Sequence, residues 1–301
     1  MKQVIKGVLS IAAAIMILSA SAFASDGGKN GKTKTVVVDD AKLVYRTYGD
    51  KGGLPLVLFA PLGFTMDDWD PAVINGLAKN STVIVFDNKG VGASSGKTPA
   101  TIGEMAQDAA SFIKTLGYSK VDILGFSMGG FVAQELIETQ PQLVGKLILV
   151  GTGPQGSEGL SEIGQKLQGA ATLSPEEVFL VGFFSPSDYS RGLGKASFDR
   201  IQAKKEGRDP AISKESFTAE FTAVLGWAAQ SPTAIEKAKS VSNPVLIVDG
   251  NYDFFIPVVN PLKLYQTLPN ARLLMLPDAG HASFFQYPDI FVQEAANFLK
   301  N

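Results

Sequence analysis

Cysteine is absent from this chain, and histidine occurs once in its 301 residues. The first absence excludes disulfides, a thiolate nucleophile, zinc–thiolate sites and iron–sulfur clusters. The second rules out a multi-histidine metal site within one chain, so a reaction needing a histidine base must use His281. Excess positive charge is lacking as well: a net charge of −2 leaves no basic footprint for nucleic acid. No apolar run reaches the ~20 residues that a membrane-spanning helix needs. The longest, VLSIAAAIMIL at 8–18, follows Lys2 and Lys6 and precedes Ala22-Phe23-Ala24. A positive start, a short apolar core and a small-x-small end make a signal peptide of residues 1–24, cut after Ala24. The chain is therefore expected to be exported, to the periplasm or the medium, with no stable membrane anchor.

What is present suits a large globular core. The chain is 45% hydrophobic and 19% charged, and its length allows one or two domains. Two β-type runs at 35–39 and 42–48 meet through Asp39-Asp40-Ala41, which predicts a hairpin. Buried strands are expected at 54–59, 83–86, 121–125, 146–150, 244–249 and 272–276, each a nearly continuous apolar run. Helical patterns lie between them, at 66–80, 102–116, from 131, at 258–268 and at 289–299. Apolar strands alternating with helices predict an α/β fold with a mostly parallel central sheet covered on both faces. From 153 to 242 the alternation stops and the pattern is helical and loop-like. That block reads as a helical cap inserted between two strands of a single domain spanning 25–301. Its basic residues Arg191, Arg200, Lys204, Lys205 and Arg208 are interspersed with acids and read as a solvated helix face.

The sharpest motif is VDILGFSMGG at 121–130. Glycines two residues before and two after Ser127 suit a tight turn from strand to helix that exposes the serine hydroxyl, which makes it a candidate nucleophile. Such a hydroxyl needs a base. His281 follows a predicted strand and is the one residue of the right type. The imidazole in turn needs an acid to fix its tautomer and stabilise its positive charge. Asp253, four residues past the preceding strand, opens on the same sheet edge and is the preferred candidate, with Asp249 and Asp278 as competitors. Two imitations of cofactor loops fail in detail. Gly90-Val-Gly92-Ala-Ser-Ser95 has serine at the sixth position of a dinucleotide loop. Residues 249–260 lack the sixth-position glycine and twelfth-position glutamate of a calcium loop. No cofactor or metal is expected.

Four segments, in order, make the chain resemble the α/β-hydrolases with a serine nucleophile, in the esterase- and lactonase-like branch that carries a helical cap. They are FAPLG at 59–63, FDNKGVGAS at 86–94, the elbow at Ser127, and the pair DGNYDFFIP at 249–257 with AGH at 279–281. The resemblance implies a Ser127–Asp253–His281 triad, and an oxyanion hole built from the backbone N–H groups of Leu62 and Met128. Ala60-Pro61 stands where the family usually has His-Gly, and Pro61 has no N–H; Leu62 does. The implied activity is hydrolysis of a small or medium carboxylic ester or lactone through an acyl-enzyme. Amide, carbon–carbon bond or peracid chemistry on the same triad, or non-catalytic ligand binding, are the alternatives. The implied partner is a small ester-like molecule, with no nucleic acid. Most apolar residues of 153–242 should pack the cap onto the core, and a minority should line a pocket above Ser127.

Overall fold

The computed structural model describes residues 31–169 and 172–300; the expected signal peptide, 1–24, lies outside them. Eight strands form one sheet: β1 (Thr33–Val38), β2 (Ala41–Tyr48), β3 (Leu56–Phe59), β4 (Val83–Phe86), β5 (Val121–Phe126), β6 (Val144–Val150), β7 (Val245–Gly250) and β8 (Ala271–Leu276). Their order is β1-β2-β4-β3-β5-β6-β7-β8. The first two are joined antiparallel through the expected turn, Val38 facing Ala41, and β2 runs antiparallel to β4. Every pairing from β4 onward is parallel.

Burial follows from the composition of the strands. Strands β3, β4, β5 and β7 are buried along their whole length, as expected for apolar runs covered on both faces. Successive side chains point to opposite faces, so Val57 and Phe59 join one core while Leu56 and Leu58 join the other. The first core is closed by α2 (Ile102–Thr115) and α3 (Met128–Thr139); the second by α1 (Pro71–Leu77) and α11 (Pro288–Lys300). Helix α2 buries Ile102, Met105, Ala106, Ala109, Phe112 and Ile113, a stripe at helical spacing.

The segment expected as one helix over 66–80 is two elements. A 3-10 turn, Met66–Asp68, is followed by Trp69 and Asp70 in extended conformation, and α1 starts only at Pro71. Proline pushes the residue before it out of helical geometry and then starts a helix well. Asp70 caps α1 by accepting from Ala72 N–H at 2.8 Å.

Between β6 and β7 the described residues form helices α4 (Ile163–Gly169), α5 (Pro175–Phe183), α6 (Asp188–Gln202), α7 (Lys214–Ala228) and α8 (Ala234–Lys239), with a 3-10 turn at Leu160–Glu162. After β7 come α9 (Val259–Thr267), and after β8 the short α10 (Ser283–Gln286). The parallel register aligns the strand ends: Phe59 beside Gly125, Phe126 beside Val150, Val150 beside Val248, and Gly250 beside Leu276. The loops after β3, β5, β7 and β8 therefore open on one edge, where open α/β sheets hold ligands.

Candidate active site

The elbow after β5 is built by close backbone approach. Ser127 has φ 53° and ψ −117°, a conformation that costs a residue with a side chain of order 1–3 kcal/mol. It is held there by Ser127 N–H donating to Val150 O at 2.9 Å, and by Thr152 Oγ1 and Gly130 N–H donating to Ser127 O at 3.0 and 2.8 Å. The flanking glycines make the turn possible. A Cβ on Gly125 would come within 2.5 Å of Gly129 O, and one on Gly129 within 2.0 Å of Phe59 O. Since neither contact is with a flexible side-chain end, Gly129→Ala must push α3 off β3. It is expected to cost about 1–3 kcal/mol as overpacking, seen as a lower Tm in thermal unfolding. An unchanged Tm would mean that the close approach is not needed.

The other predicted residues converge on the same edge. His281 is buried on the loop after β8, and its Nδ1 lies 2.7 Å from Asp253 Oδ2. The second oxygen, Oδ1, accepts from Phe255 and Ile256 N–H, both at 2.8 Å. The carboxylate is thereby fixed by a turn of its own loop and not by capping α9. An acceptor at Nδ1 places the ring proton there and leaves Nε2 free to take one. Phe126, Phe183 and Phe255 surround the imidazole, with ring centroids at 5.1, 5.7 and 5.2 Å.

The two competing acids do other things. Asp249 is fully buried, accepts from Gly250 N–H at 2.7 Å, and leaves Oδ2 unpartnered. Burial first, and then the neighbouring Asp253 carboxylate, push it well above the usual carboxylate range, toward the neutral form. Asp278 instead accepts from Ser185 Oγ and Ser187 Oγ, at 2.5 and 2.6 Å, and those hydrogen bonds hold it below the usual range. It ties the histidine loop to the segment between α5 and α6.

Leu62 lies in a turn in which Phe64 N–H donates to Pro61 O at 3.3 Å and Gly63 takes φ 84°. Proline–leucine–glycine suits such a turn, because its third residue needs positive φ. Met128 opens α3, and a first-turn N–H has no acceptor within its own helix. Leu62, Ser127 and His281 line one cavity of about 130 Å³. Its walls are apolar and rich in phenylalanine, with Phe64, Phe179, Phe183, Phe198, Phe217 and Phe255 among them. Gln202, Arg208 and Asp209 supply polar atoms. Helices α4 to α7 provide much of this lining, so part of the helical block lies over Ser127. Among the described residues, no cluster of three or more His, Asp or Glu is placed to hold a metal ion.

The expectation of a solvated basic face on 191–208 is corrected for three of its five residues, while Lys205 is exposed as expected. Arg200 pairs with Asp70 (2.6 Å), Lys204 with Asp67 (2.6 Å) and Arg208 with Asp68 (3.1 Å). These acids sit just after β3, some 130–140 residues earlier, so local charge alternation could not reveal the pairing. The sequence reading also missed Glu220. This acid is fully buried on α7 and accepts from Gly63 N–H at 2.8 Å and from Asn88 Nδ2 at 3.2 Å. A signal was available, since Glu220 falls on the apolar stripe of Phe217, Phe221 and Val224.

Eight strands in this order, helices on both faces, and a serine elbow and a histidine loop lining one cavity define an α/β-hydrolase architecture. Residues 55–288 match the family described as alpha/beta hydrolase fold, and the chain belongs to it. A solved alpha/beta hydrolase fold protein from Chitinophaga pinensis superposes with TM-score 0.87 and 38% identity, covering 90% of this chain and 98% of that one. The enol-lactonase from Burkholderia xenovorans LB400 superposes with TM-score 0.71 at 23% identity, covering 89% of this chain and all of that one, which shows a shared fold. A Mycobacterium tuberculosis protein provisionally named non-heme bromoperoxidase BpoC is 29% identical over 260 residues, 82% of this chain and 94% of its own.

Proposed function

We propose that the protein is an exported serine hydrolase that cleaves a small or medium carboxylic ester or lactone through an acyl-enzyme. The observation that carries this reading is the 2.7 Å bond from Asp253 to His281 Nδ1, with His281 and Ser127 on the wall of one apolar cavity. Export rests on the pattern of residues 1–24.

In this mechanism Ser127 Oγ attacks the ester carbonyl carbon while its proton passes to His281 Nε2. The carbonyl electron pair moves onto oxygen, and the N–H groups of Leu62 and Met128 hold that oxyanion. When the pair returns, the carbon–oxygen bond to the alcohol breaks, and the leaving alkoxide takes the proton from His281. Water then attacks the acyl group by the same route, giving a carboxylic acid and restoring the Ser127 hydroxyl. Asp253 keeps His281 in the required tautomer and stabilises its cationic form. The phenylalanine-rich walls favour an apolar acyl group and exclude water, which strengthens the interactions of the oxyanion.

A fluorophosphonate probe tests the chemistry. One adduct at Ser127, detected by peptide mass spectrometry, is expected; labelling that leaves Ser127 unmodified would reject the reading. A panel of 4-nitrophenyl esters of increasing chain length, run beside matched anilides, then sets the bond and the acyl size. The reading expects ester turnover well above anilide turnover. Capture of the same esters without turnover by the unmodified protein would favour a binding role instead.

A further inference from the structure

Glu220 is an acid in a place where chemistry has to explain it. It lies on α7, in the helical block, between Phe217 and Phe221, and it is fully buried. Both oxygens are engaged, and both partners are donors: Gly63 N–H at 2.8 Å and Asn88 Nδ2 at 3.2 Å. Gly63 follows Leu62 in the turn after β3, and Asn88 belongs to the turn after β4. The same helix touches both turns again. Ser216 Oγ donates to Gly90 O at 2.6 Å, and a Cβ on Gly63 would lie 3.3 Å from the Phe217 ring. One side chain of the block thus holds the peptide next to the Leu62 donor, from 157 residues away in sequence.

We propose that Glu220 is a positioning residue for the oxyanion hole, which fixes the Leu62 N–H only when the helical block is seated. The inference rests on the serine-hydrolase reading above. A turn of the Pro61–Phe64 kind can rotate its peptides, and the N–H of Leu62 has to point at the oxygen that becomes charged. Gly63, with φ 84°, gives the turn its freedom, and the bond to Glu220 removes it. A donor displaced by a fraction of its hydrogen-bond length loses most of its value, because such hydrogen bonds weaken steeply with distance and angle.

Either protonation state of Glu220 can keep the Gly63 contact. The carboxylate accepts from both partners, whereas the neutral acid accepts from Gly63 N–H and donates its proton to Asn88 Oδ1 once that amide turns over. Burial, with a further push from Asp87, raises Glu220 to about 7. Asp87 is itself raised to about 7, mainly by burial, and faces Arg46 and Asp67. The acids of α2, which packs on α7, are engaged elsewhere: Glu104 with Thr101 and Asp108 with Lys89.

Steady-state kinetics of the full chain on 4-nitrophenyl butyrate, with fluorophosphonate labelling of Ser127 in each variant as a control, tests the proposal. Glu220→Ala is expected to lower kcat about tenfold to a hundredfold, less than outright removal of an oxyanion donor, which costs roughly 100- to 1000-fold. KM should change little. Its affinity for phenylboronic acid, whose serine adduct is tetrahedral, should fall by a similar factor, while inhibition by butyrate stays the same. Glu220→Gln can satisfy the same partners with the Asn88 amide turned over, so it should restore most of the turnover lost in Glu220→Ala. A folded Glu220→Ala protein with unchanged kcat and boronate affinity would overturn the proposal. So would a Glu220→Gln protein that loses kcat and boronate affinity tenfold or more, which remains measurable if the alanine variant does not fold. Failure of Ser127 to label in the wild type would instead reject the serine-hydrolase reading.

Discussion

Ser127→Ala is expected to lower ester turnover by roughly 10⁴- to 10⁶-fold, as loss of the nucleophile does in serine hydrolases. Binding of substrate should survive, because the cavity walls are phenylalanine and aliphatic side chains that the substitution leaves alone. On the proposed mechanism the magnitude follows from how much depends on this one oxygen: the base, its acid and the oxyanion donors all act on a bond that Ser127 Oγ has to form. What remains is whatever the donors and the cavity do for attack by water. Turnover within tenfold of the wild type would place the nucleophile elsewhere. The same position offers a second measurement, on stability. Alanine keeps a side chain at φ 53° and ψ −117° and so keeps the strain, whereas glycine relieves it. Ser127→Gly should be as inactive as Ser127→Ala but more stable by about 1–3 kcal/mol, which is about 2–6 °C in Tm at this chain length. Equal Tm values for the two variants would show that the elbow stores no strain.

That contrast shows what kinds of information a sequence carries. The elbow was legible because its signal is local: glycines at fixed offsets from one serine, between an apolar run and a helical pattern. The strands were legible because burial on both faces leaves continuous apolar runs. His281 gained weight from being the one histidine, and the 2.7 Å bond to Asp253 joins two loops predicted to open on the same edge. Choosing among three aspartates was harder, since the choice depends on direction. Asp249 ends a strand inside the core, Asp278 turns to two serines of the helical block, and Asp253 reaches the imidazole. The break at Trp69 and Asp70 is readable from Asp70-Pro71, where a cap precedes a first-turn proline. The pairs that seat the helical block were not readable. Arg200, Lys204 and Arg208 have acidic neighbours in sequence, and those suggested solvation, while their partners lie across the fold. Glu220 belongs to the same class, for a buried acid is explained only by the donors that surround it.

The largest effect on stability is expected at Asp67, where that seating is concentrated. Its side chain is almost fully buried and pairs with the equally buried Arg46. It also accepts from Lys204 Nζ at 2.6 Å and from Asp209 N–H at 2.6 Å. Three segments thus meet on one carboxylate: β2, the end of α6, and the chain leading into α7. Burial disfavours its charge, but Arg46 and the hydrogen bonds from its neighbours prevail and hold it well below the usual carboxylate range. Asp209 shows the opposite balance, raised to about 8 by burial and by the nearby Asp87 and Asp67 carboxylates. Arg46 thus has two acids beside it, since Asp209 Oδ2 also lies 2.8 Å from its Nη2. Asp67→Asn preserves shape but leaves the buried Arg46 with Asp209 alone and Lys204 without its acid, which costs about 3 kcal/mol, or roughly 6 °C in Tm. The loss should depend on pH in a defined sense. An acid with a depressed pKa stabilises the fold above its unfolded value, near 4, and this contribution fades as pH falls below it. The Tm gap between wild type and Asp67→Asn should accordingly be full at pH 6–7 and narrow below about pH 4. Arg46→Met in the Asp67→Asn background should cost less than the sum of the two single changes, because residues in one buried network do not add. A gap that stays constant down to pH 3, with strict additivity in the double variant, would show that Asp67 acts through its shape and not its charge.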